Sequence, residues 1–193
     1  MDRFSKLPLV AAFAAATLTL GACADEAAEE QAEQTGEAEP SGDTLAEALS
    51  GAEGLDTVTE ALGDVGLTQV FDGAGSYTIL APNDEAFDAL GETGEALTEP
   101  EQRAAMAALL RDHIVPGYLT PADIEAAIEA QGGAVQSETM GEQTVRFTRD
   151  GEGVRVTSED GSTAMITGEA LRASNGVAIA LDGVLKKVDA PAA

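Results

Sequence analysis

The fold is decided by a short segment in which a buried strand leads directly into a capped helix, Tyr77-Thr78-Ile79-Leu80-Ala81-Pro82-Asn83-Asp84-Glu85-Ala86-Phe87. The apolar run from Tyr77 to Ala81 favours a strand buried in the core. Pro82 ends that strand, and Asn83 or Asp84 has a side chain that can cap a helix N-terminus. The short helix that follows is expected to bury Phe87, so strand and helix should share one core.

Helices are expected on the N-terminal side of this segment. The folded region opens at Thr44, and both Thr44 and Thr57 have a glutamate three residues later, which is the spacing of a capping box. Apolar residues recur at helical spacing between Leu55 and Val65, and they predict a helix over that range. A turn is then expected at Gly73 and Gly75, just before the strand.

Two longer helices are predicted on the C-terminal side. The first runs roughly from Glu99 to Ile114, with Thr98 as its cap, and Pro116-Gly117 stops it. The second begins at Thr120-Pro121, which combines a cap with a first-turn proline, and it ends at Gly132-Gly133. The region between the strand and residue 133 is therefore predicted to be mostly helical.

Beyond residue 133 the apolar residues recur with period two, which is typical of strands. They are Val145 and Phe147, Val154 and Val156, Ala164 and Ile166, and Val177, Ile179 and Leu181. Glycine-containing turns separate these pairs at Asp150 to Gly153 and at Asp160-Gly161. A helical half followed by a string of short antiparallel strands predicts the α+β class.

Three segments resemble the consensus boxes of the fasciclin family, and they occur in the family's order. The first is the strand-and-helix segment quoted above. The second and third are Leu109-Leu110-Arg111-Asp112-His113-Ile114-Val115-Pro116-Gly117 and Ala173-Ser174-Asn175-Gly176-Val177-Ala178-Ile179-Ala180-Leu181-Asp182-Gly183-Val184-Leu185. The resemblance covers Thr44 to about Val188, and three boxes in order are a specific signal.

The resemblance implies a compact wedge of short antiparallel strands with helices packed around it. It also implies adhesion or surface binding outside the cell, often from a membrane anchor, because family members mostly act in this way. The family-motif residues are expected to be mainly structural, and they are Thr78, Ala81, Pro82, Asn83, Phe87, His113, Pro116, Gly117, Asn175, Gly176 and Asp182. Asn175-Gly176 suits a tight turn, and Asp182 is expected to tie down a turn through its carboxylate.

The chain departs from the family pattern at three places. Asp112 stands where the family often has a tyrosine before the central histidine, and Ile179 stands where the closing box often carries a histidine. The stretch Glu169-Ala170-Leu171-Arg172 replaces the Asp-Ile pair that some animal members use to bind integrins. An integrin-type role is therefore unsupported.

The N-terminus has the features of an export signal. Two basic residues precede an apolar run from Leu7 to Leu20, which is too short to span a bilayer as a helix. The run leads into Leu20-Gly21-Ala22-Cys23, which resembles the bacterial lipobox, so Cys23 is the expected lipid attachment site and the lipid bilayer an expected partner. Ala22-Cys23-Ala24 also fits an ordinary cleavage site, which would release a secreted protein.

These features divide the chain into three expected parts. Residues 1–22 are a lipoprotein signal peptide, residues 23–43 an acidic disordered linker, and residues 44–190 a fasciclin-type domain. The linker has no large apolar residue after its cysteine, so it cannot bury enough surface to offset its chain entropy. Such a linker would hold the domain away from the membrane, on the periplasmic side or at the cell surface.

The formal net charge of −25 restricts the kinds of partner. A strongly negative surface repels the phosphates of nucleic acids and anionic lipids, so DNA and RNA are not expected partners. Two explanations of the acidity stay open. One is solubility, for example in a salty habitat, and the other is attraction to a cationic partner or to divalent ions.

The sequence lacks the residues of the common catalytic sites. It has a single histidine, His113, and a single cysteine, and it contains no H-E-x-x-H, G-x-S-x-G or P-loop pattern. His113 is expected to be a hydrogen-bonded core or helix-end residue, and no cofactor is expected. The leading hypothesis is a non-enzymatic adhesion module with an unknown protein or matrix partner. The alternative is a small-ligand or polysaccharide-binding lipoprotein, although the absence of tryptophan argues against a glycan site.

Overall fold

The computed structural model of the protein describes residues 40–188. The predicted signal peptide, the expected lipid attachment site Cys23 and the predicted linker up to residue 39 lie outside the described residues. The described part includes the whole region in which helices and strands are predicted.

Residues 40–188 fold into seven α-helices, a 3-10 turn and seven β-strands, which confirms the α+β class. The helices are α1 (Leu45–Ser50), α2 (Asp56–Asp64), α3 (Thr68–Phe71), α4 (Asp84–Asp88), α5 (Glu92–Leu97), α6 (Arg103–Asp112) and α7 (Pro121–Ala130), and the 3-10 turn is Pro100–Gln102. The strands are β1 (Tyr77–Pro82), β2 (Ile114–Pro116), β3 (Ala134–Glu138), β4 (Thr144–Asp150), β5 (Gly153–Ser158), β6 (Thr163–Ala173) and β7 (Gly176–Leu181).

The strands form one sheet in the order β2-β1-β7-β6-β5-β4-β3. The strands from β3 to β7 are antiparallel, as predicted for β4 to β7, whereas β1 lies parallel to β7. β6 pairs with β5 through Thr163 to Met165 and with β7 from Ile166 to Ala173, and its register with β7 shifts between Thr167 and Leu171, as at a β-bulge. The two sheet edges approach each other, since Met140 N donates to Ile114 O over 2.7 Å, and the sheet is nearly closed.

β1 and β7 are buried on both faces, which explains why their sequences are almost continuously apolar. Ile79 of β1 and Ala178 of β7 contribute to a first core, which these strands share with helices α1 to α6. Leu80 of β1 and Ile179 of β7 contribute to a second core, which they share with α7, β4 and β5. The central strands therefore separate two cores, and both cores depend on them.

Local capping was predicted correctly at three helices. Thr44 and Thr120 each form a capping box, with Glu47 and Asp123 respectively as its acidic partner. The side chain of Asn83 caps α4 by accepting from the N–H of Ala86 over 2.9 Å. These interactions lie within three residues in sequence, so a pattern of residue types is enough to reveal them.

The capping box predicted at Thr57 is wrong. Leu55 occupies the N-cap position of α2 and makes no side-chain capping bond, and Thr57 lies inside the helix. Asp84 supplies the missing acceptor instead, since its Oδ1 accepts from the backbone N–H of Thr57 over 2.9 Å. The first residue of α4 thus caps α2 from a distance in sequence.

The helix predicted from Glu99 to Ile114 is shorter than expected at both ends. α6 begins at Arg103 after the 3-10 turn, and Thr98 belongs to the end of α5, where its hydroxyl donates to Glu95 O. Ile114 fits the helical spacing but opens strand β2, because it pairs with Ile79 of β1. Pairing with a buried strand outweighs local helical preference at this point. The sequence patterns do not predict helices α3 and α5 or strands β2 and β3.

The last residues of the predicted linker contact the domain. Ser41 N donates to Arg172 O over 2.8 Å, and Asp43 O accepts from the N–H and the hydroxyl of Ser174 over 2.9 and 2.8 Å. Contacts with the domain therefore extend at least to Ser41, three residues before the predicted boundary at Thr44.

We expect a chain that begins at Pro40 to keep the melting temperature of the chain that begins at Ala24. A chain that begins at Thr44 loses the bonds of Ser41 and Asp43, which should lower the free energy of unfolding by about 1–2 kcal/mol. Thermal unfolding followed by circular dichroism measures both. Equal melting temperatures for the Pro40 and Thr44 chains would show that these contacts contribute nothing.

Candidate functional site

The three motif segments lie side by side at the centre of the sheet. Thr78 of β1 lies opposite Val115 of β2 on one side and Val177 of β7 on the other. The strand-and-helix segment, the central box and the closing box are thus neighbours in space, although long stretches of chain separate them. The motif residues are brought together as one structural unit.

The residues of the first motif hold β1 and α4 in place. Ala81 and Pro82 are buried, and Phe87 is 5 % exposed within the first core. The hydroxyl of Thr78 donates to Gly117 O over 2.8 Å and accepts from the N–H of Leu119 over 2.9 Å. Thr78 thereby fixes the turn that follows β2.

That turn contains the end of the central motif. Pro116 is the exposed last residue of β2 and lies opposite Tyr77. Gly117 has a φ of +110°, a conformation that glycine adopts without steric cost. Both residues serve to reverse the chain between β2 and α7.

His113 is completely enclosed at the junction of α6 and β2. Its Nδ1 lies 2.8 Å from Leu109 O, and its Nε2 accepts from the backbone N–H of Leu185 over 2.9 Å. The ring must therefore be neutral, with its proton on Nδ1. Burial lowers the pKa of His113 to about 4, and the hydrogen bond to Leu109 and the charge of Asp112 oppose this shift only in part.

Asp112 forms a polar cluster beside His113. Its carboxylate is buried and accepts from Gln143 Nε2 over 3.1 Å and from the ammonium of Lys186. Gly141 packs directly on this carboxylate, since a Cβ atom at that position would lie 1.9 Å from Asp112 Oδ1. The aspartate that replaces the family's usual tyrosine is thus accommodated by a paired lysine and a glycine.

Asn175 connects the closing motif to two N-terminal helices. Its Oδ1 accepts from Leu45 N over 2.7 Å, and its Nδ2 donates to Phe71 O and Gly73 O over 2.6 and 2.8 Å. Gly176 lets these elements approach, because a Cβ atom there would lie 2.5 Å from the carbonyl oxygen of Tyr77. The pair therefore joins distant parts of the chain as well as turning it.

Two aspartates hold the C-terminal segment. The carboxylate of Asp182 accepts from Met165 N over 2.6 Å. Asp160 accepts from the N–H groups of Ser162 and Lys187 and from the hydroxyl of Ser158. Partial burial opposes its charge, but these hydrogen bonds prevail and hold the pKa of Asp160 well below its usual range.

A groove lies apart from the motif residues, between α2 and the segment from the end of α5 into α6. We call it the α2–α6 groove, and its volume is about 380 Å³. Its floor is formed by the apolar residues Ala61, Val65, Leu97 and Met106, and its walls by Asp56, Thr57, Glu60, Asp64, Thr98, Glu99, Pro100 and Arg103. The floor residues belong to the first core or pack against it, so the apolar lining of the groove is continuous with that core.

The two rims of the groove differ in charge. The α2 rim carries the exposed carboxylates Asp56, Glu60 and Asp64, and the opposite rim carries Glu99 and Arg103. Among the described residues, none of these five side chains forms an ion pair. The groove therefore combines an apolar floor with unpaired charges at its edge, as ligand sites do.

The sequence did not reveal this groove. The spacing of the apolar residues of α2 predicts its buried face. On its exposed face, acidic residues recur every four positions at Asp56, Glu60 and Asp64. That spacing was a usable signal for one wall. The other wall is formed by α5 and the 3-10 turn, which were not predicted, so no cleft could be inferred.

Residues 40–188 offer neither a metal-binding cluster nor a membrane-spanning helix. That region holds no group of three or more histidine, cysteine, aspartate or glutamate side chains that could bind a metal ion. Its helices are also too short or too polar for any of them to cross a bilayer.

Comparison with known proteins identifies the family. The family model described as Fasciclin domain matches residues 53–187, and the chain belongs to the fasciclin family. It is 32% identical over 143 residues to Protein sll1483 of Synechocystis sp. (strain ATCC 27184 / PCC 6803 / Kazusa), an alignment that covers 74% of this chain and 72% of that protein. The resemblance noted in the three sequence motifs is therefore confirmed.

A solved structure has the same fold. The chain superimposes on a FAS1 domain pair from the insect cell adhesion molecule Fasciclin I with a TM-score of 0.66 and 12% sequence identity. The superposition covers 75% of this chain and 51% of the pair, so the chain spans about half the length of that protein. At this identity the likeness concerns the fold alone, which agrees with the predicted wedge of strands and helices.

Proposed function

We propose that the protein is an extracytoplasmic binding module, held at the cell envelope by its N-terminus, that engages a protein or surface partner without converting it. The observation that carries this proposal is the α2–α6 groove, where apolar side chains line the floor between rims of unpaired charge. Membership of a family that includes an insect cell adhesion molecule supports an adhesion-type role.

The placement of His113 also favours binding over catalysis. General acid–base chemistry near neutral pH requires a group that can reach a substrate and exchange a proton with it. His113 is fully enclosed, both of its nitrogens are hydrogen-bonded, and its low pKa keeps it neutral. The histidine of the chain thus holds the α6–β2 junction and faces no cleft.

A surface-retention experiment tests the binding role. Beads that display the chain from Ala24 onward should retain a partner from envelope and extracellular material of the source cell. Beads that display an unrelated protein of equal negative charge are the control, because an acidic surface attracts cations without specificity. Identical material on both kinds of bead would contradict a specific binding function.

The proposed anchor predicts a large effect of Cys23→Ser. The wild-type protein should incorporate labelled palmitate and partition into detergent, because acyl chains anchor a protein in proportion to their buried methylene groups. The Cys23→Ser protein should do neither. A wild-type protein that is freely soluble and begins at Asp25 would instead show that Ala22-Cys23-Ala24 is an ordinary cleavage site.

The groove volume supports a second candidate function, the binding of a small ligand without catalysis. About 380 Å³ lies within the usual range of small-molecule sites. A polysaccharide is less well matched, since sugar rings stack on aromatic side chains and the walls and floor of this groove contain none. Calorimetric titration with envelope metabolites distinguishes this candidate from a macromolecular partner.

A further inference from the structure

We propose that the α2–α6 groove binds a basic amphipathic helix of a partner protein. The proposal rests on the binding function proposed above and specifies the chemistry of the partner. The partner helix places its apolar side chains on the groove floor and its lysine or arginine side chains against the α2 rim.

The groove floor supplies the apolar part of the site. Leu97 and Met106 line the groove and are 6 % and 3 % exposed, and Val65, which also lines it, is half-buried. An apolar cavity of about 150 Å³ is large enough for benzene, so about 380 Å³ has room for two side chains of the size of phenylalanine. A helix that docks in a groove inserts apolar anchors from one of its faces, at spacings such as i, i+3, i+4 and i+7.

The α2 rim supplies a charge pattern that another helix can match. Asp56, Glu60 and Asp64 are four residues apart, so they lie on one face of α2 at intervals of about 6 Å. A neighbouring helix of the same rise presents side chains at the same intervals when they are also four residues apart. Three basic residues so spaced can therefore face the three carboxylates together.

The opposite rim determines which flank of the partner helix faces α2. Glu99 and Arg103 carry one charge of each sign, whereas the three charges of the α2 rim are all negative. A helix with one basic flank is attracted most strongly when that flank faces the three carboxylates of α2. The groove therefore favours a helix with charge on one flank only.

Two other possible ligands, a polyamine and a second copy of this chain, match fewer features of the groove. A linear polyamine can pair with the three carboxylates of α2, but it leaves the floor without large apolar groups. A second copy of this chain is disfavoured, because its net charge of −25 repels another copy. The helix proposal alone uses both the floor and the rim.

Synthetic helices can serve as the probe. The first peptide carries two phenylalanines on one face and lysines at three positions four residues apart on the adjoining flank. The second has the same composition in scrambled order, so it keeps the charge and loses the amphipathic face. Fluorescence anisotropy of the labelled peptides with the chain from Ala24 onward measures binding, and spermine is tested as a competitor.

Two triple variants with equal net charge separate the groove from the rest of the acidic surface. Asp56→Asn, Glu60→Gln and Asp64→Asn neutralise the α2 rim. Glu152→Gln, Glu159→Gln and Glu169→Gln neutralise three exposed carboxylates on the strand half of the domain. All six positions are exposed, so both proteins should fold, and circular dichroism verifies this.

We expect the first peptide to bind the wild-type protein and the strand-half variant alike. The α2-rim variant should bind it roughly tenfold more weakly, because three exposed ion pairs of modest strength are lost. The scrambled peptide should bind weakly to all three proteins. Equal weakening by both triple variants, equal binding of both peptides, or full displacement by spermine would overturn the proposal.

The failure of this proposal can be distinguished from failure of the binding function. If beads with the α2-rim variant retain the natural partner as well as wild-type beads do, the protein is a binding module that uses another surface. If wild-type beads retain nothing beyond the control, the binding function itself fails. The peptide measurement decides the chemistry of the groove in either case.

Discussion

Phe87→Ala should lower the free energy of unfolding by about 3–5 kcal/mol, as do other large-to-small substitutions in tightly packed cores. Phe87 is 5 % exposed and belongs to the first core, together with Ile79 and Ala81 of β1 and Leu97 of α5. Its loss removes apolar contacts and leaves a cavity beneath the central strand. Since small domains are stable by only about 5–15 kcal/mol, the change is a large fraction of the total.

A neighbouring substitution provides the control for Phe87→Ala. Asp88 lies next to it in α4 and is exposed, so Asp88→Ala should change the stability by no more than about 0.5 kcal/mol. Urea unfolding measures the free energy of unfolding of both variants. Circular dichroism is the suitable probe, because the chain has no tryptophan for fluorescence. Equal stabilities for the two variants would show that Phe87 does not support the core.

The features that could be predicted from the sequence depend on residues close together in the chain. Asn83 and Ala86, or Thr120 and Asp123, form caps within three residues, so their types and spacing are sufficient. The alternation of Val145 and Phe147 follows from the pleat of a strand and is likewise local. The class and family could therefore be inferred before any tertiary contact was known.

The features that could not be predicted depend on contacts between distant residues. Asp84 caps α2 across 27 positions, and Asn175 binds the N–H of Leu45 across 130. No local pattern marks such partners, because a carboxylate or amide in a turn usually satisfies its own neighbours. The sequence therefore predicts only local roles for both residues.

Helix α5 explains why the groove was missed. Gly94 lies within it and lowers its intrinsic helical preference. The glycine is required by packing, since a Cβ atom there would lie 2.6 Å from the carbonyl oxygen of Phe87. Packing on α4 stabilises α5, so the sequence of α5 itself shows little helical preference. The wall of the groove that α5 forms therefore cannot be predicted from the sequence.

His113 should make the protein less stable as the pH falls from about 6.5 to about 4. In the unfolded chain the histidine has its ordinary pKa near 6.5 and takes up a proton as the pH falls through that value. In the folded protein burial holds the pKa at about 4, so the ring stays neutral across this interval. The unfolded state then binds more protons, and the free energy of unfolding decreases with falling pH.

The size of this decrease follows from the difference between the two pKa values. A difference between 6.5 and about 4 lowers the free energy of unfolding by on the order of 3 kcal/mol. The full loss is reached near pH 4, and it stays constant at lower pH. Above pH 6.5 both states are neutral at this residue and the histidine has no effect on the pH dependence. Below pH 4 a second ring proton would oppose the N–H of Leu185, which now donates to Nε2.

Comparison with His113→Gln isolates the histidine from the many carboxylates that titrate in the same range. Glutamine cannot bond both Leu109 O and Leu185 N as the ring does, so at pH 7 the variant should be less stable by about 1–3 kcal/mol. The variant lacks the titrating ring, whereas the carboxylates change protonation in both proteins and largely cancel in the comparison. The difference in free energy of unfolding between the wild-type protein and the variant should therefore narrow by about 3 kcal/mol between pH 7 and pH 4. Urea unfolding at pH 7, 6, 5 and 4 measures this gap, and a gap that stays constant would show that the folded protein protonates His113 as readily as the unfolded chain does.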